Sequence, residues 1–172
     1  CKASCRNDID TFIESIKSLN MSEDEMKSRF KFKNIEVINE IEKKNQSMIL
    51  LCGHFSGFEW MFIIDRYIKS NFYAVYKRLR NKYFDKLMIK VRAKFGVILV
   101  EIEDSIKYIY SNKDCKIIGL ASDQNPVVNS KTYWTKFFNQ DVPYILGAEK
   151  IARKMDYPVL FCNMTKESNG YY

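Results

Sequence analysis

Apolar residues fall along this chain in two rhythms: helical spacing in some stretches, short unbroken runs in others. Ile9, Phe12, Ile13, Ile16 and Leu19 predict a helix over 7–19. Ser22 opens the stretch S-E-D-E, a capping-box pattern that predicts a short helix toward Phe30. Ile35, Val37 and Ile38 begin another, over 35–44, and a largely apolar stretch predicts a helix over 58–69. Phe84, Leu87, Met88, Val91 and Phe95 mark one face of a helix over 82–95, with Gly96 placed to end it. A further helix is expected over 104–110. Pro143 suits the first turn of a last one, over 143–155, with Ile145, Ala148, Ile151 and Ala152 inward.

The unbroken runs cover 48–52, 72–76, 97–100, 116–121 ("KIIGLA") and 158–162 ("PVLFC"). They lack the period-two alternation of a half-exposed strand, and they alternate with the helices. Such runs belong to strands buried on both faces. The pattern predicts an α/β fold, a mostly parallel central sheet flanked by helices on both faces. In sheets of this kind ligands bind at the carboxyl ends of the strands.

Composition narrows the class. A length of 172 residues suits one domain, and 47% hydrophobic with 15% aromatic residues is a globular balance. No apolar run approaches the roughly 18 residues needed to span a bilayer. The chain opens on Cys1 and stops at Tyr171-Tyr172, so it reads as a single domain, 1–172, cut from a longer protein. Five cysteines, an odd number with no CxxC pair, argue for a reduced, cytosolic domain over a disulfide framework. Cys52, Cys115 and Cys162 lie in or beside the strand-like runs. One histidine and no clustered thiols make a poor zinc-ligand set. No GxGxxG or P-loop follows a strand. Neither a metal nor a cofactor is expected.

Charge adds a second feature. The formal net charge is +7, and it is localised. Lys77, Arg78, Arg80, Lys82, Lys86, Lys90, Arg92 and Lys94 stand against Asp85 alone between 77 and 94. Lys82, Lys86, Lys90 and Lys94 recur every four residues, which places them on one ridge of the 82–95 helix. Such a ridge is commonly no more than a solvated face. A strand ends just before it, at Lys77 to Arg80, and this favours attraction to a polyanion.

The single histidine is His54, in "LLCGHFSGFEW", where the first apolar run gives way to a helix. By the strand pattern, the carboxyl ends deliver His54, then Lys77 and Arg80, then Asp123-Gln124-Asn125. Glu59 follows His54 by five residues, across a turn that Ser56 and Gly57 are small enough to allow. A carboxylate in the first helical turn can reach back to one imidazole nitrogen, fix its tautomer and leave the other nitrogen as a general base. A lone histidine is more often structural, so the spacing alone does not decide.

Three segments add context. "GHFSGFEW" resembles the G-H-F-G-N-W-E block of the bacterial lipid A biosynthesis (lauroyl/myristoyl) acyltransferases, within the lysophospholipid-acyltransferase-like superfamily. "AVYKRLRNKYFDKLMIKVRAKFG" resembles that family's Y-[RK]-P-x-x-N-P segment and following basic helix, and "LASDQNP" its A-D-Q-N/D segment. Ser56-Gly57-Phe58 stands where the family has Gly-Asn-Trp, and Arg78 and Lys82 where it has prolines. The resemblance implies a glycerolipid-acyltransferase-like fold and a transferase that moves a fatty acyl chain from acyl carrier protein, or coenzyme A, to a hydroxyl of a lipid A-like glycolipid. It implies His54 as base, Glu59 as its partner, and Lys77, Arg80, Asn81, Asp123 and Gln124 at the substrate. It also implies an N-terminal anchor and a C-terminal portion that this chain does not carry.

The chemistry suits these residues. A thioester is already activated, so a base that deprotonates the acceptor hydroxyl suffices. The oxyanion that forms needs donors or cations nearby. The expected partners are an acyl donor, a glycolipid acceptor and a membrane surface, with the protein at the cytoplasmic face of the inner membrane. Acylation of another glycolipid, a lysophospholipid or a glycerol phosphate is the alternative, and an inactive basic binding module a second. Nucleic acid is not expected as a partner, because Tyr83, Phe84 and Phe95 lie on or near the apolar helix face, where stacking on bases would compete with burial.

Overall fold

The unbroken apolar runs pair with one another. In the computed structural model, β1 (Met48–Cys52), β2 (Asn71–Tyr76), β3 (Ile98–Glu101), β4 (Lys116–Ala121) and β7 (Val159–Phe161) form one sheet in the order β3-β2-β4-β1-β7. Every pairing within it is parallel. The structure describes residues 2–172 except 56, 112, 113, 115, 125, 130 and 131, with backbone alone for 2–8 and 111. Cys1, Cys115, Ser56 and Asn125 lie outside the described residues, as does the side chain of Cys5.

Helices cover both faces, because the strands are apolar on both. On one face Met48, Leu50, Phe72, Ala74 and Ile117 pack against Ile38, Phe62 and Ile64. On the other, Ile49 and Ile118 pack against Ile109, Ala148 and Ile151. The first face carries α1 (Lys2–Ser18), α2 (Glu23–Arg29), α3 (Glu36–Lys43), a 3₁₀ helix (Phe58–Arg66) and α4 (Lys82–Arg92). The second carries α5 (Ile102–Ser111) and α6 (Gly147–Met155). Connections running toward β3 cross the first face and those running back cross the second, as crossovers of one hand require.

Local signals set several boundaries. The Ser22 hydroxyl accepts the Glu25 backbone N–H at 3.1 Å and starts α2. The Asn81 side chain does the same for α4, accepting from Tyr83 and Phe84. Gly96 does not end α4, which stops at Arg92 with Ala93 as its C-cap; it turns the chain beyond, at φ +113°, where a Cβ would collide with the Asp65 carboxylate. Among the described residues, no helix is long and apolar enough to cross a membrane.

Two further expectations fail. Residues 58–69 do not form an α-helix; Phe58–Arg66 is 3₁₀, with Phe58 to Ile64 all buried. A segment buried all round has no apolar stripe from which its period can be read. Pro143 does not open α6. It lies within β6 (Gln140–Tyr144), which pairs antiparallel with β5 (Tyr133–Phe137) as a separate two-stranded sheet. Proline is tolerated there because a two-stranded ribbon is all edge. The hairpin turn uses Phe138 and Asn139, both at positive φ, in place of the glycine that announces such turns.

Candidate active site

The strand order brings the carboxyl ends of β1 and β4 side by side. From there the chain leaves β1 into the 3₁₀ helix on one face, and leaves β4 for α6 on the other. That divergence is the topological switch point at which open α/β sheets hold their ligands. His54 follows β1 by two residues and Asp123 follows β4 by two. Cys52 is opposite Ala121 in the register, so continuing it sets His54 level with Asp123.

The two residues are bonded twice. Asp123 Oδ1 lies 2.7 Å from His54 Nδ1, and Asp123 Oδ2 accepts the His54 backbone N–H at 2.8 Å. Burial opposes ionisation of Asp123, but the bonds from the His54 ring and backbone outweigh it and hold the carboxyl below its usual range. An ionised partner at Nδ1 makes that nitrogen the proton carrier. Nε2 is then the basic nitrogen, and it bonds none of the described residues. Phe58 stands edge-on to the imidazole, ring centroids 4.8 Å apart. Gly53 keeps the approach open: a Cβ there would lie 3.3 Å from Asp123 Oδ2.

Glu59 is not the partner of His54. Its side chain is turned inward, only 3% exposed, and both oxygens are taken by the Arg92 guanidinium at 2.7–3.2 Å. The reason lies in the 3₁₀ helix. It directs Glu59 toward α4, and a buried carboxylate needs a cation within reach. Arg92 is a functional candidate that the sequence reading left among the general basic residues. A signal existed: Arg92 lies four residues after Met88 and three before Phe95, off the lysine ridge and on the buried side of α4.

The other expected residues divide. Ala74 is opposite Gly119, so Lys77 continues β2 to the level of Ser122, next to Asp123. Lys77, Arg80 and Gln124 are exposed. Arg78 pairs with Glu101, at the end of β3. Asn81 is engaged as the cap of α4. Lys94 does not continue the exposed ridge of Lys82, Lys86 and Lys90. Its ammonium donates to the carbonyls of Ser18, Leu19 and Met21 and caps the end of α1. Cys52 and Cys162 are free thiols. Burial, foremost among several causes, pushes Cys52 up to about 12, so a thiol two residues from His54 is no nucleophile at neutral pH. Among the described residues, no three His, Cys, Asp or Glu side chains cluster to hold a metal ion.

The profile of the family described as bacterial lipid A biosynthesis acyltransferase matches residues 1–172, the whole chain. The chain belongs to this family. No curated protein gives a significant match to it. The members are acyltransferases of lipid A biosynthesis, so this acyltransferase takes an acyl donor and a lipid acceptor. The five-stranded parallel sheet with helices on both faces is the scaffold on which it presents His54.

Proposed function

We propose that the protein transfers a fatty acyl chain from a thioester, carried by acyl carrier protein or coenzyme A, to a hydroxyl of a lipid A-like glycolipid. His54 is the general base and Asp123 its orienting partner. The observation that carries this reading is the doubly bonded His54–Asp123 pair at the switch point, with Nε2 unbonded by the described residues.

The steps follow from that arrangement. Nε2 accepts the proton of the acceptor hydroxyl as its oxygen attacks the thioester carbonyl. Asp123 stabilises the imidazolium that results. The carbonyl becomes a tetrahedral oxyanion, for which the exposed Lys77 and Arg80, in the loop after β2, are the candidate cations. Collapse of this intermediate re-forms the C=O bond as an ester and breaks the C–S bond. The imidazolium proton goes to the leaving thiolate. Lys82, Lys86 and Lys90 suit the phosphates of either substrate.

We also place the work of the protein at the cytoplasmic face of the inner membrane. Support comes from the loops at the same sheet edge, which expose Phe55 after β1 and Leu79 after β2 beside Lys77 and Arg80. Apolar side chains interleaved with cations suit an anionic lipid surface.

The test is thiol release from acyl-carrier-protein and acyl-CoA thioesters by the full-length protein, with a lipid A precursor, a lysophospholipid or glycerol phosphate as acceptor. The reading expects release that depends on the lipid A precursor and yields an acylated glycolipid. Release that depends only on the other acceptors, or that yields free fatty acid alone, would contradict it.

A further inference from the structure

The imidazole of His54 is bonded to a carboxylate and backed by an aromatic ring. The planes of Phe58 and His54 meet at 72°. The Arg92 guanidinium lies 5.8 Å from the centroid of the same Phe58 ring. Arg92 in turn grips Glu59, the residue after Phe58 on the 3₁₀ helix. All three are largely out of water. A contact chain thus runs from α4 through the 3₁₀ helix to the base, and the steps described above use neither Arg92 nor Phe58.

We propose that Arg92 is a positioning residue for His54, acting through Phe58, and that Glu59 neutralises Arg92 so that its charge does not oppose imidazolium formation. The inference rests on the reading of His54 as general base. An edge-to-face aromatic pair restricts ring orientation, and a guanidinium packed on the ring holds that ring in turn. The charge argument is separate. Asp123 reaches His54 from the loop after β4. The 3₁₀ helix and α4 present the neutral Phe58 backed by a compensated ion pair. Among the described residues no further titratable side chain bonds the imidazole. Loss of the Glu59 charge alone leaves an uncompensated cation, itself largely buried, one ring away from the base. Proton uptake by His54 then becomes harder. Loss of both charges restores the balance but removes the support of the ring.

The chain has one histidine, so a single imidazole signal in an NMR titration reports His54 without any substrate. Glu59→Gln should move the midpoint of that titration to lower pH. Arg92→Lys, which keeps the charge, should leave it near the parent value, and Glu59→Gln/Arg92→Met should return it there. In acyl transfer the double variant should lose roughly tenfold or more in kcat, with KM little changed, as misplaced catalytic groups do. An unmoved midpoint in Glu59→Gln overturns the inference; if that variant does not fold, a double variant with parental kcat overturns it. The titration separates this inference from the functional reading, which fails instead if His54→Ala keeps full transferase activity.

Discussion

Asp123 holds His54 at two points 69 residues away in the chain: one carboxylate oxygen on the ring nitrogen at 2.7 Å, the other on the backbone N–H at 2.8 Å. The contact fixes both the tautomer of the imidazole and the path of the chain that carries it. Its consequences reach stability as well as catalysis.

The Asp123 carboxyl is depressed in the folded state. A depressed carboxyl contributes stability that is present above its unfolded value, near 4, and is lost as pH falls through the folded value. Asp123→Asn should therefore melt below the parent protein at neutral pH. The gap should close as the buffer is taken below about pH 4. Thermal melts of the two proteins across that range check this; a constant gap would mean that the Asp123 charge adds nothing.

Glu59 and Arg92 should behave as a buried pair. Glu59→Gln leaves an uncompensated guanidinium, and breaking such pairs costs about 3–5 kcal/mol. Glu59→Leu/Arg92→Met removes both charges and should be less damaging than the single change. Denaturant unfolding of the variants measures the difference.

The lysines of the basic helix should separate into two groups. Lys94→Ala uncaps α1 and should cost about 1–3 kcal/mol, since three carbonyls lose a charged donor. Lys86→Ala and Lys90→Ala should leave the melting temperature unchanged and raise the apparent substrate requirement, more so at low salt. Equal effects at all three positions would return the ridge to a plain solvated face.

The exposed apolar residues at the catalytic edge should matter at a surface and not in the fold. Phe55→Ser and Leu79→Ser should weaken flotation of the full-length protein with anionic vesicles while leaving its melting temperature in place. Unaltered vesicle binding would remove this edge from the membrane contact.

Much of this architecture is legible in the chain. Each strand of the parallel sheet is announced by an unbroken apolar run; burial on both faces explains this for the inner strands β1, β2 and β4, while the edge strands β3 and β7 are apolar though partly exposed. His54 and Asp123 are both readable as residues at strand carboxyl ends. Their partnership is not, because it depends on β4 inserting between β1 and β2, which no local pattern encodes. Sequence proximity points instead to Glu59, and the 3₁₀ helix turns that side chain away toward Arg92. The hairpin of β5 and β6 is hidden for a different reason: Phe138 and Asn139 make its turn without glycine, and Pro143 imitates a helix start.

Turnover of an acyl thioester by Asp123→Asn, beside His54→Ala and the double variant, tests the central claim most directly. Folding is first verified by the dispersion of backbone NMR signals. If His54 is the base and Asp123 its orienting partner, each single change should cut kcat by about 10² to 10⁴, and the double should be little worse than the worse single. An Asp123→Asn protein that folds and turns over at the parental rate would contradict the account.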